Sequence, residues 1–451
     1  MSKGNVYVGF FPERTYFWLK MITLVYIEPG KNFTAPVIYT LKAFARNKNI
    51  ELTFCNQKNE NTLNVTASDD SDIPVASEFY SKLGNKLFIH TEHFFKSCRI
   101  VTYTGVTDLL ASAFYMMNCC QEYHCNETDG LGRFRYADSY QKKFNNVQEN
   151  LVQQCFDELA THPKLSGCKD NPVKSQLFLS HDIDLVNEGL KEEASSALRS
   201  GNVGFFFKLF IKILLMKPYW LNVDKIMKTE SKFDFKSTFY WLVNKGKINN
   251  RESNADYNIH DKSIRDAINL VRKNNCENGI HKSISSDSFA LEIQKLGFVP
   301  NSNRYHYLKF RLPQAFNELE ISGIPIDTSV GFSEMIGFRN SYGLPFKPYN
   351  FATKEPYTFV EMPLQVMDRT LHSYMKEKPS QIADTVIAFF EKNKYNCVLS
   401  VLWHNNFFSG YTFKGYPQAY RKLLEYFYES GYGCVTPAEV MRKFNITGNA
   451  I

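Results

Sequence analysis

The sequence lacks an uninterrupted apolar stretch of the roughly 18 residues that a membrane-spanning helix requires. It also lacks a block of basic residues, although the net charge is +7, and it has no nucleic-acid-binding motif, so we expect no nucleic-acid partner. A signal-peptide pattern is missing as well, because Arg14 and Lys20 interrupt the N-terminal aromatic run and no small-residue cleavage site follows Ile27. These absences predict a cytoplasmic protein that is neither a transmembrane nor a DNA-binding protein.

Paired cysteines are missing too, because the ten cysteines are scattered and form no CxxC pair. We therefore expect free cysteines in a reducing compartment. One cluster combines Cys119, Cys120, His124 and Cys125 within a helical pattern. A zinc site there is the alternative, and burial within a helix is the preferred interpretation.

The length of 451 residues exceeds what one ordinary hydrophobic core contains, which predicts two domains. Pro163 and Pro172 mark the boundary, so we place an N-terminal α/β accessory domain at 1–165 and a second domain at 173–445. In the first domain, the stretch 60–72 is polar and is expected to be a loop, and His90 and His93 are not expected to bind a ligand. Strand patterns there cover 21–27, 50–54, 86–90 and 99–103, and helical patterns cover 36–45 and 108–123.

The second domain alternates strand-like and helical segments. The strand-like segments are 177–180, 237–243, 279–283, 304–308, 324–328, 359–364, 397–403 and 433–435. Most are separated by the helical patterns 263–274, 287–296, 314–321, 381–393 and 416–429. This alternation predicts a parallel barrel or a doubly wound sheet. The last helix begins at a capping box, Thr436 to Glu439, with proline at its first position.

A helical insertion at about 187–230 interrupts the alternation. Its centre, 204–216, is strongly apolar and carries Lys208 and Lys212 four residues apart. We expect this helix to cover an opening of the barrel or to pack on the first domain. The alternative is weak contact with a membrane surface, in which the helix would lie in the plane of the interface.

The central stretch of the second domain runs from Gln176 to Asp184. An apolar strand pattern ends there in SHDID, so Asp182 and Asp184 point the same way from an extended chain. Two carboxylates on one face can bind a metal with one group and accept a proton with the other. The alternative is that both aspartates cap the following helix.

Further polar residues collect towards the carboxyl ends of the other predicted strands, where α/β barrels place their chemistry. Carboxylates and imidazoles together suit zinc and similar divalent ions. The full set, drawn from five strands, is Asp182, Asp184, His281, Arg304, His306, Asp327 and His404.

With these motifs in this order, the segment 176–444 resembles the polysaccharide deacetylase family, the NodB-type carbohydrate esterases. It is most similar to a bacterial branch that reads THDVD, GLHPSY, RQHYLRF and LWHN at the corresponding places. The part before it, with DLLASAFY at 108–115 and GRF at 132–134, resembles the domain that precedes the deacetylase in that branch. The matching motifs are SHDID at 180–184, GIHKS at 279–283, RYHYLKF at 304–310, DTSVGF at 327–332, GFR at 337–339, PLQVMD at 363–368 and LWHN at 402–405.

The resemblance implies a distorted (β/α)7 barrel of the NodB deacetylase type, preceded by a smaller α/β domain, with a divalent metal at the carboxyl ends of the strands. Zinc is the expected ion. Asp184 matches the metal-binding aspartate and His281 the first histidine of the family's H-x-x-x-H metal pair. The second histidine of that pair is replaced by Ser285, and His306 is expected to supply the missing ligand.

The resemblance also implies the catalytic roles. Asp182 matches the general base, Arg304 the arginine that orients it, and Asp327 the aspartate of the fourth motif. His404 matches the histidine that protonates the leaving amine. These parts predict a metal-dependent N-deacetylase-like hydrolase acting on an N-acetylated sugar in a cell-surface polysaccharide or its precursor. The alternative, which Ser285 keeps open, is a non-catalytic carbohydrate-binding or scaffold protein on a degraded deacetylase barrel.

Overall fold

A computed structural model of the chain describes residues 22–83, 98–123, 125–165, 172–187, 189–214, 220–250, 252–409 and 412–448. Three features expected from the sequence lie outside these residues. They are the strand at 86–90, the histidines at 90 and 93, and His124 of the cysteine cluster.

The first part of the chain forms a small α/β unit around a parallel sheet. Its strands are β1 (Ile22–Ile27), β2 (Glu51–Cys55), β3 (Leu63–Thr66) and β4 (Ile73–Pro74), in the order β2-β1-β3-β4. A separate antiparallel pair consists of β5 (Ile100–Val101) and β6 (Thr107–Asp108). The helices are α1 (Thr34–Lys48), α2 (Ser77–Leu83), α3 (Leu109–Met117), α4 (Tyr140–Lys143) and α5 (Leu151–Ala160).

Strand β3 corrects the expectation that 60–72 is a loop. The stretch looks polar, yet Leu63 and Val65 are completely buried and the strand pairs with β1 along Leu63 to Val65. Its Asn64 is held by Asp72, whose carboxylate accepts the Asn64 backbone N–H at 2.7 Å. Pairing within the sheet therefore decides the conformation of a segment that has little strand propensity of its own.

The second part is built on one parallel sheet of nine strands. Eight of them follow the order β14-β11-β10-β9-β8-β7-β16-β15, and β17 pairs with the start of β7. A short antiparallel pair, β12 with β13, lies apart from this sheet. The strands are β7 (Gln176–Ile183), β8 (Ser237–Leu242), β9 (Glu277–Lys282), β10 (Ser302–Tyr305), β11 (Ile326–Asp327), β12 (Tyr349–Asn350), β13 (Glu355–Pro356), β14 (Val360–Glu361), β15 (Val366–Met367), β16 (Val398–Leu402) and β17 (Gly433–Cys434).

The helices of the second part follow the predicted alternation. The last begins as the sequence indicates, because Thr436 and Glu439 exchange the two hydrogen bonds of a capping box, at 2.8 and 3.4 Å. The helices are α6 (Gly189–Arg199), α7 (Val203–Leu214), α8 (Val223–Glu230), α9 (Lys262–Lys273), α10 (Phe289–Leu296), α11 (Gln314–Ser322), α12 (Ile382–Lys392), α13 (Tyr416–Glu429) and α14 (Pro437–Gly448). An α/β fold with a parallel half-barrel, preceded by a smaller α/β unit, is thereby confirmed.

The helical insertion departs from expectation. Helices α6 and α7 pack against each other, but Phe207 and Phe210 of α7 are 60% and 44% exposed. The expectation that the apolar face of this helix covers the barrel or packs on the first unit is therefore wrong for these two side chains. No helix within the described ranges is long and apolar enough to cross a bilayer.

Helix α8, at the end of the insertion, is anchored in the core through Glu230. Its fully buried carboxylate accepts a hydrogen bond from Ser237 at 2.7 Å and one from Tyr420 at 2.5 Å. The same carboxylate lies 2.8 Å from His181 Nε2. His181 therefore points away from the face of β7 that carries Asp182, as the two-residue repeat of a strand requires.

The two parts of the chain share hydrophobic packing, since the core of the first part includes Tyr342, Phe346 and Tyr349, and they also meet at a buried ion pair. Arg339 donates to both carboxylate oxygens of Glu122, at 2.6 and 2.8 Å. Both side chains are only 3% exposed. Nearby, the hydroxyl groups of Tyr140 and Ser341 lie 2.8 Å apart across the same boundary. A bidentate, buried pair of this kind sets the position of one unit on the other.

Candidate metal and catalytic site

The sequence-predicted site residues converge at the carboxyl ends of β7, β9 and β10, with β8 lying between β7 and β9 in the sheet. Asp182 lies in β7 and Asp184 directly follows it, while His281 lies in β9. Arg304 lies in β10, paired in register with His281, and His306 follows that strand. Parallel strands bring their carboxyl ends to one edge of the sheet, so residues more than 120 apart in sequence become neighbours.

Asp184, His281 and His306 bring three possible metal-binding atoms together. His281 Nε2 and His306 Nδ1 are 3.0 Å apart. Asp184 Oδ1 lies 3.4 Å from the first nitrogen and 3.8 Å from the second. For a tetrahedral ion with bonds of about 2.1 Å, ligand atoms are separated by about 3.4 Å. The three distances therefore fit one face of a zinc-sized tetrahedron.

Backbone carbonyl groups determine which nitrogen of each imidazole faces this point. His281 Nδ1 lies 2.9 Å from the carbonyl oxygen of Arg304, and His306 Nε2 lies 2.9 Å from that of Ser253. A carbonyl oxygen only accepts, so each of these nitrogens carries the proton. In the neutral rings, each of the two inward nitrogens then has a free lone pair, which is the state that binds a metal.

The arrangement leaves negative and electron-rich atoms without a counterpart. Asp184 Oδ1 is buried and has no hydrogen-bond partner within the described part of the chain. Two imidazole lone pairs and a carboxylate oxygen facing one another repel unless a proton or a metal cation lies between them. Burial lowers the pKa of His281, but Asp182 and Asp184 more than offset this and raise it. Asp184, His281 and His306 therefore fit a divalent cation.

Asp182 has different neighbours from Asp184. Its Oδ1 accepts a hydrogen bond at 3.1 Å from Nη1 of Arg304, which also donates to Ser180 Oγ at 2.8 Å. The arginine is completely buried and its guanidinium carbon lies 4.6 Å from the centroid of the Tyr240 ring. The other oxygen of Asp182 lies 3.5 Å from His281 Nε2. One oxygen is thus held by a fixed positive charge while the other faces the candidate metal position.

His404 reaches the same region from the end of β16. Its Nε2 lies 3.7 Å from Asp184 Oδ2, and its Nδ1 lies 2.7 Å from Asp368 Oδ1. Asp368 also accepts the His404 backbone N–H at 2.6 Å. Asp368 is completely buried and orients the imidazole. The motif PLQVMD contains this aspartate, but the sequence did not reveal its function, because strand order alone places it beside His404.

The electrostatics of the site follow from burial and close charges. Burial raises the pKa of Asp184, but His306, His281 and His404 more than offset it and lower that pKa overall. Burial lowers the pKa of His306 to about 4 against the opposing effect of Asp184. Burial also lowers the pKa of His404, but Asp368 more than offsets this and raises it to about 9. The neutral His306 suits a ligand, and the charged His404 suits a proton donor.

Asp327 and Ser285 lie outside the cleft above these residues. Asp327 Oδ1 accepts hydrogen bonds from Asn303 at 2.7 Å and Ser329 at 2.9 Å, and burial raises the pKa of this carboxyl group. Its catalytic assignment stays a prediction. The Ser285 hydroxyl donates to Glu292 at 3.1 Å, so it faces that glutamate rather than the three metal-binding atoms.

The cleft above the site encloses about 350 Å³ and both parts of the chain line it. The first part contributes Leu131 and Arg133. Arg133 is 5% exposed and donates to the Tyr307 carbonyl oxygen and to the Tyr374 hydroxyl, each at 2.8 Å. Tyr307 has φ of 59°, a strained left-handed conformation, directly after His306. The first unit therefore holds the turn that carries one of the three metal-binding atoms.

One family model matches the first part of the chain. A model described as "Family of unknown function (DUF7033)" matches residues 26–168. None of the curated proteins matches the chain.

Solved structures similar to this chain include three proteins. A candidate polysaccharide deacetylase from Mycobacterium smegmatis is 13% identical, with a TM-score of 0.38, over 61% of this chain and 93% of its own. A peptidoglycan N-acetylglucosamine deacetylase is 13% identical, with a TM-score of 0.29, over 59% and 88%. A CE4 family pseudoenzyme from Bacillus anthracis is 12% identical, with a TM-score of 0.28, over 58% and 64%. With every TM-score below 0.5, these likenesses leave the function to be inferred from the site.

Proposed function

We propose that the chain is a metal-dependent N-deacetylase-like hydrolase that acts on an N-acetylated sugar of a cell-surface polysaccharide or its precursor. The observation that carries the proposal is the meeting of three electron-rich atoms, on Asp184, His281 and His306, beside a separately held carboxylate, Asp182. Amide hydrolysis needs a polarised carbonyl group, a base and an acid, and this cleft supplies candidates for all three.

The metal, for which zinc is the proposed ion, would supply Lewis acidity that polarises the acetyl oxygen and activates water. Asp182 acts as the base, and the hydrogen bond from Arg304 holds its carboxylate aimed into the cleft. His404 stands within reach as the acid, oriented by Asp368, and gives its proton to the departing sugar nitrogen.

Metal content and turnover of the purified chain test this proposal together. We expect about one equivalent of a divalent ion by mass spectrometry and acetate release from N-acetylglucosamine oligomers. His306→Ala should lower metal affinity, whereas replacement of the exposed His260 by Ala is a matched control that should not. A chain that binds no divalent ion refutes the metal site.

The alternative function is a non-catalytic carbohydrate-binding or scaffold protein on a degraded deacetylase barrel. The replacement of the family's second metal histidine by Ser285, whose hydroxyl group donates to Glu292 instead of facing the metal-binding atoms, supports this alternative. The same assay separates the two functions. Metal binding without acetate release from any N-acetylated glycan favours the binding protein.

For the cellular location we propose the cytoplasm. All nine cysteines within the described residues are free, which is the expected state in a reducing compartment. Export of the native chain to an oxidising compartment, measured by cell fractionation, would contradict this.

We also propose that 204–216 contacts an anionic membrane surface. The exposed Phe207 and Phe210 and the absence of any acidic residue from α7 support it. Co-sedimentation should require phosphatidylserine in phosphatidylcholine vesicles and be lost when both phenylalanines are replaced by Ser. Equal sedimentation of that variant and the native chain would exclude the contact.

A further inference from the structure

Most charged side chains that line the cleft already have a partner of opposite charge. Asp182 is paired with Arg304 at 3.1 Å, and Arg133 is paired with Asp129 at 2.6 Å. His404 is held by a buried carboxylate at 2.7 Å. These pairs contribute little net charge to the cavity.

Arg369 is different. It lines the cleft and is half-buried, yet its guanidinium group forms no hydrogen bond or ion pair with any residue in the described part of the chain. The group faces an aromatic ring, because the guanidinium carbon lies 5.3 Å from the centroid of the Phe407 ring. The backbone N–H of Arg369 donates to Asp368 at 2.5 Å, which fixes the start of the side chain but leaves its five donors unused.

A guanidinium group stays charged at every physiological pH, so Arg369 keeps its positive charge in the cleft. Stacking on a phenyl ring stabilises such a cation only modestly. The planar donor fork is matched by a carboxylate or phosphate, which it binds through two parallel hydrogen bonds. A divalent ion beside Asp184 would leave a second excess positive charge in the same cavity. Clefts with one sign of charge concentrate ligands of the opposite sign.

We infer that the cleft binds an N-acetylated sugar that also carries an anionic group, and that Arg369 binds this group while the acetamido group faces Asp182. The inference rests on the proposed function for the acetamido end of the substrate. The anionic group is a carboxylate or a phosphate, and its two sources are a uronic acid within the glycan and a sugar phosphate of a precursor. Arg369 then determines substrate specificity, whereas the residues at the metal position carry out the chemistry.

Binding to the metal-loaded full chain, measured by isothermal titration calorimetry, tests the subsite without requiring turnover. The neutral probe is chitotetraose. The carboxylate probe is a tetrasaccharide of alternating N-acetylglucosamine and glucuronate, and the phosphate probe is N-acetylglucosamine 1-phosphate compared with N-acetylglucosamine. We expect at least one anionic probe to bind roughly 10-fold or more tightly than its neutral counterpart, and the probe that does so identifies the source.

The variants isolate the guanidinium group. Arg369→Gln should lower the affinity for that anionic probe by roughly 10- to 100-fold and leave the affinity for the neutral probe within about twofold. Arg369→Lys keeps the charge but not the planar donor fork, so its affinity for the anionic probe should lie between those of the native chain and Arg369→Gln. Arg421→Gln is a matched control that changes the net charge by the same amount. Arg421 is exposed and paired with Glu425 on α13, so this variant should change the affinity for neither probe.

Two results overturn the inference. One is equal affinity of the native chain for neutral and anionic probes, and the other is equal weakening of both kinds by Arg369→Gln. Acetate release measured in parallel keeps this inference separate from the proposed function. Charge-selective binding without acetate release refutes the hydrolase and leaves the subsite, whereas acetate release together with equal affinity for neutral and anionic probes refutes the subsite alone.

Discussion

Replacement of Asp182 by Asn separates the base from the metal ligands. The change removes one negative charge and almost no volume. None of the three metal-binding atoms belongs to Asp182, whose nearer oxygen lies 3.5 Å from His281 Nε2. We therefore expect Asp182→Asn to keep its metal and to lose at least the roughly 10²- to 10⁴-fold that general-base catalysis contributes.

The cost to stability can be worked out from the contact with Arg304. The two side chains are 3% and 0% exposed and their atoms are 3.1 Å apart, so the substitution leaves a buried guanidinium group without its counter-charge. The Asn oxygen still accepts the hydrogen bond, which limits the loss to about 1.5–3 kcal/mol of unfolding free energy. The variant should therefore fold at assay temperature with a lower melting temperature.

The assay combines metal content by mass spectrometry with acetate release from an N-acetylglucosamine oligomer. Asp184→Asn should lose metal and activity together, and Asp266→Asn, at an exposed position on α9, is the control for charge alone. The separation of roles is refuted if Asp182→Asn strips the metal or keeps full turnover.

Three further outcomes follow from the same contacts. Arg133→Lys should lower metal affinity by about 10-fold, the lower end of outer-shell effects, because it loosens the strained turn after His306; unchanged affinity in a metal titration would contradict this. Glu122→Gln should lower the unfolding free energy by about 3 kcal/mol, because it leaves the buried Arg339 without its carboxylate. Urea denaturation measures this, and an unchanged midpoint would show that the pair contributes nothing to stability. A chelator should lower the melting temperature of the native chain but not that of Asp184→Asn, because a ligand that binds only the folded state stabilises it; equal shifts would place the metal elsewhere.

The sequence by itself determined the α/β architecture and predicted most of the candidate site. Alternating apolar strands and amphipathic helices have their own periodicities, so they can be identified without tertiary contacts. The spacing of Asp182 and Asp184 on one strand predicted that both face the same side, because side chains repeat every two residues. The positions of His281, His306 and His404 at strand ends placed them on the same edge. The substitution of His306 for the residue missing at position 285 was predicted from the motif, and the structure brings its nitrogen to 3.0 Å from His281.

Only the tertiary structure decided how the side chains of the candidate site are oriented. The carbonyl oxygen of Ser253 orients His306, and it comes from a loop with no periodic pattern. The orientation of His404 by Asp368 and the support of the turn by Arg133 depend on chain crossings that local sequence does not encode. The exposure of Phe207 was misjudged for a related reason, since an apolar helical face shows that something should cover it but not whether the same chain does. Periodicity is a local property, whereas the partner of a buried polar atom is set by the packing of distant segments.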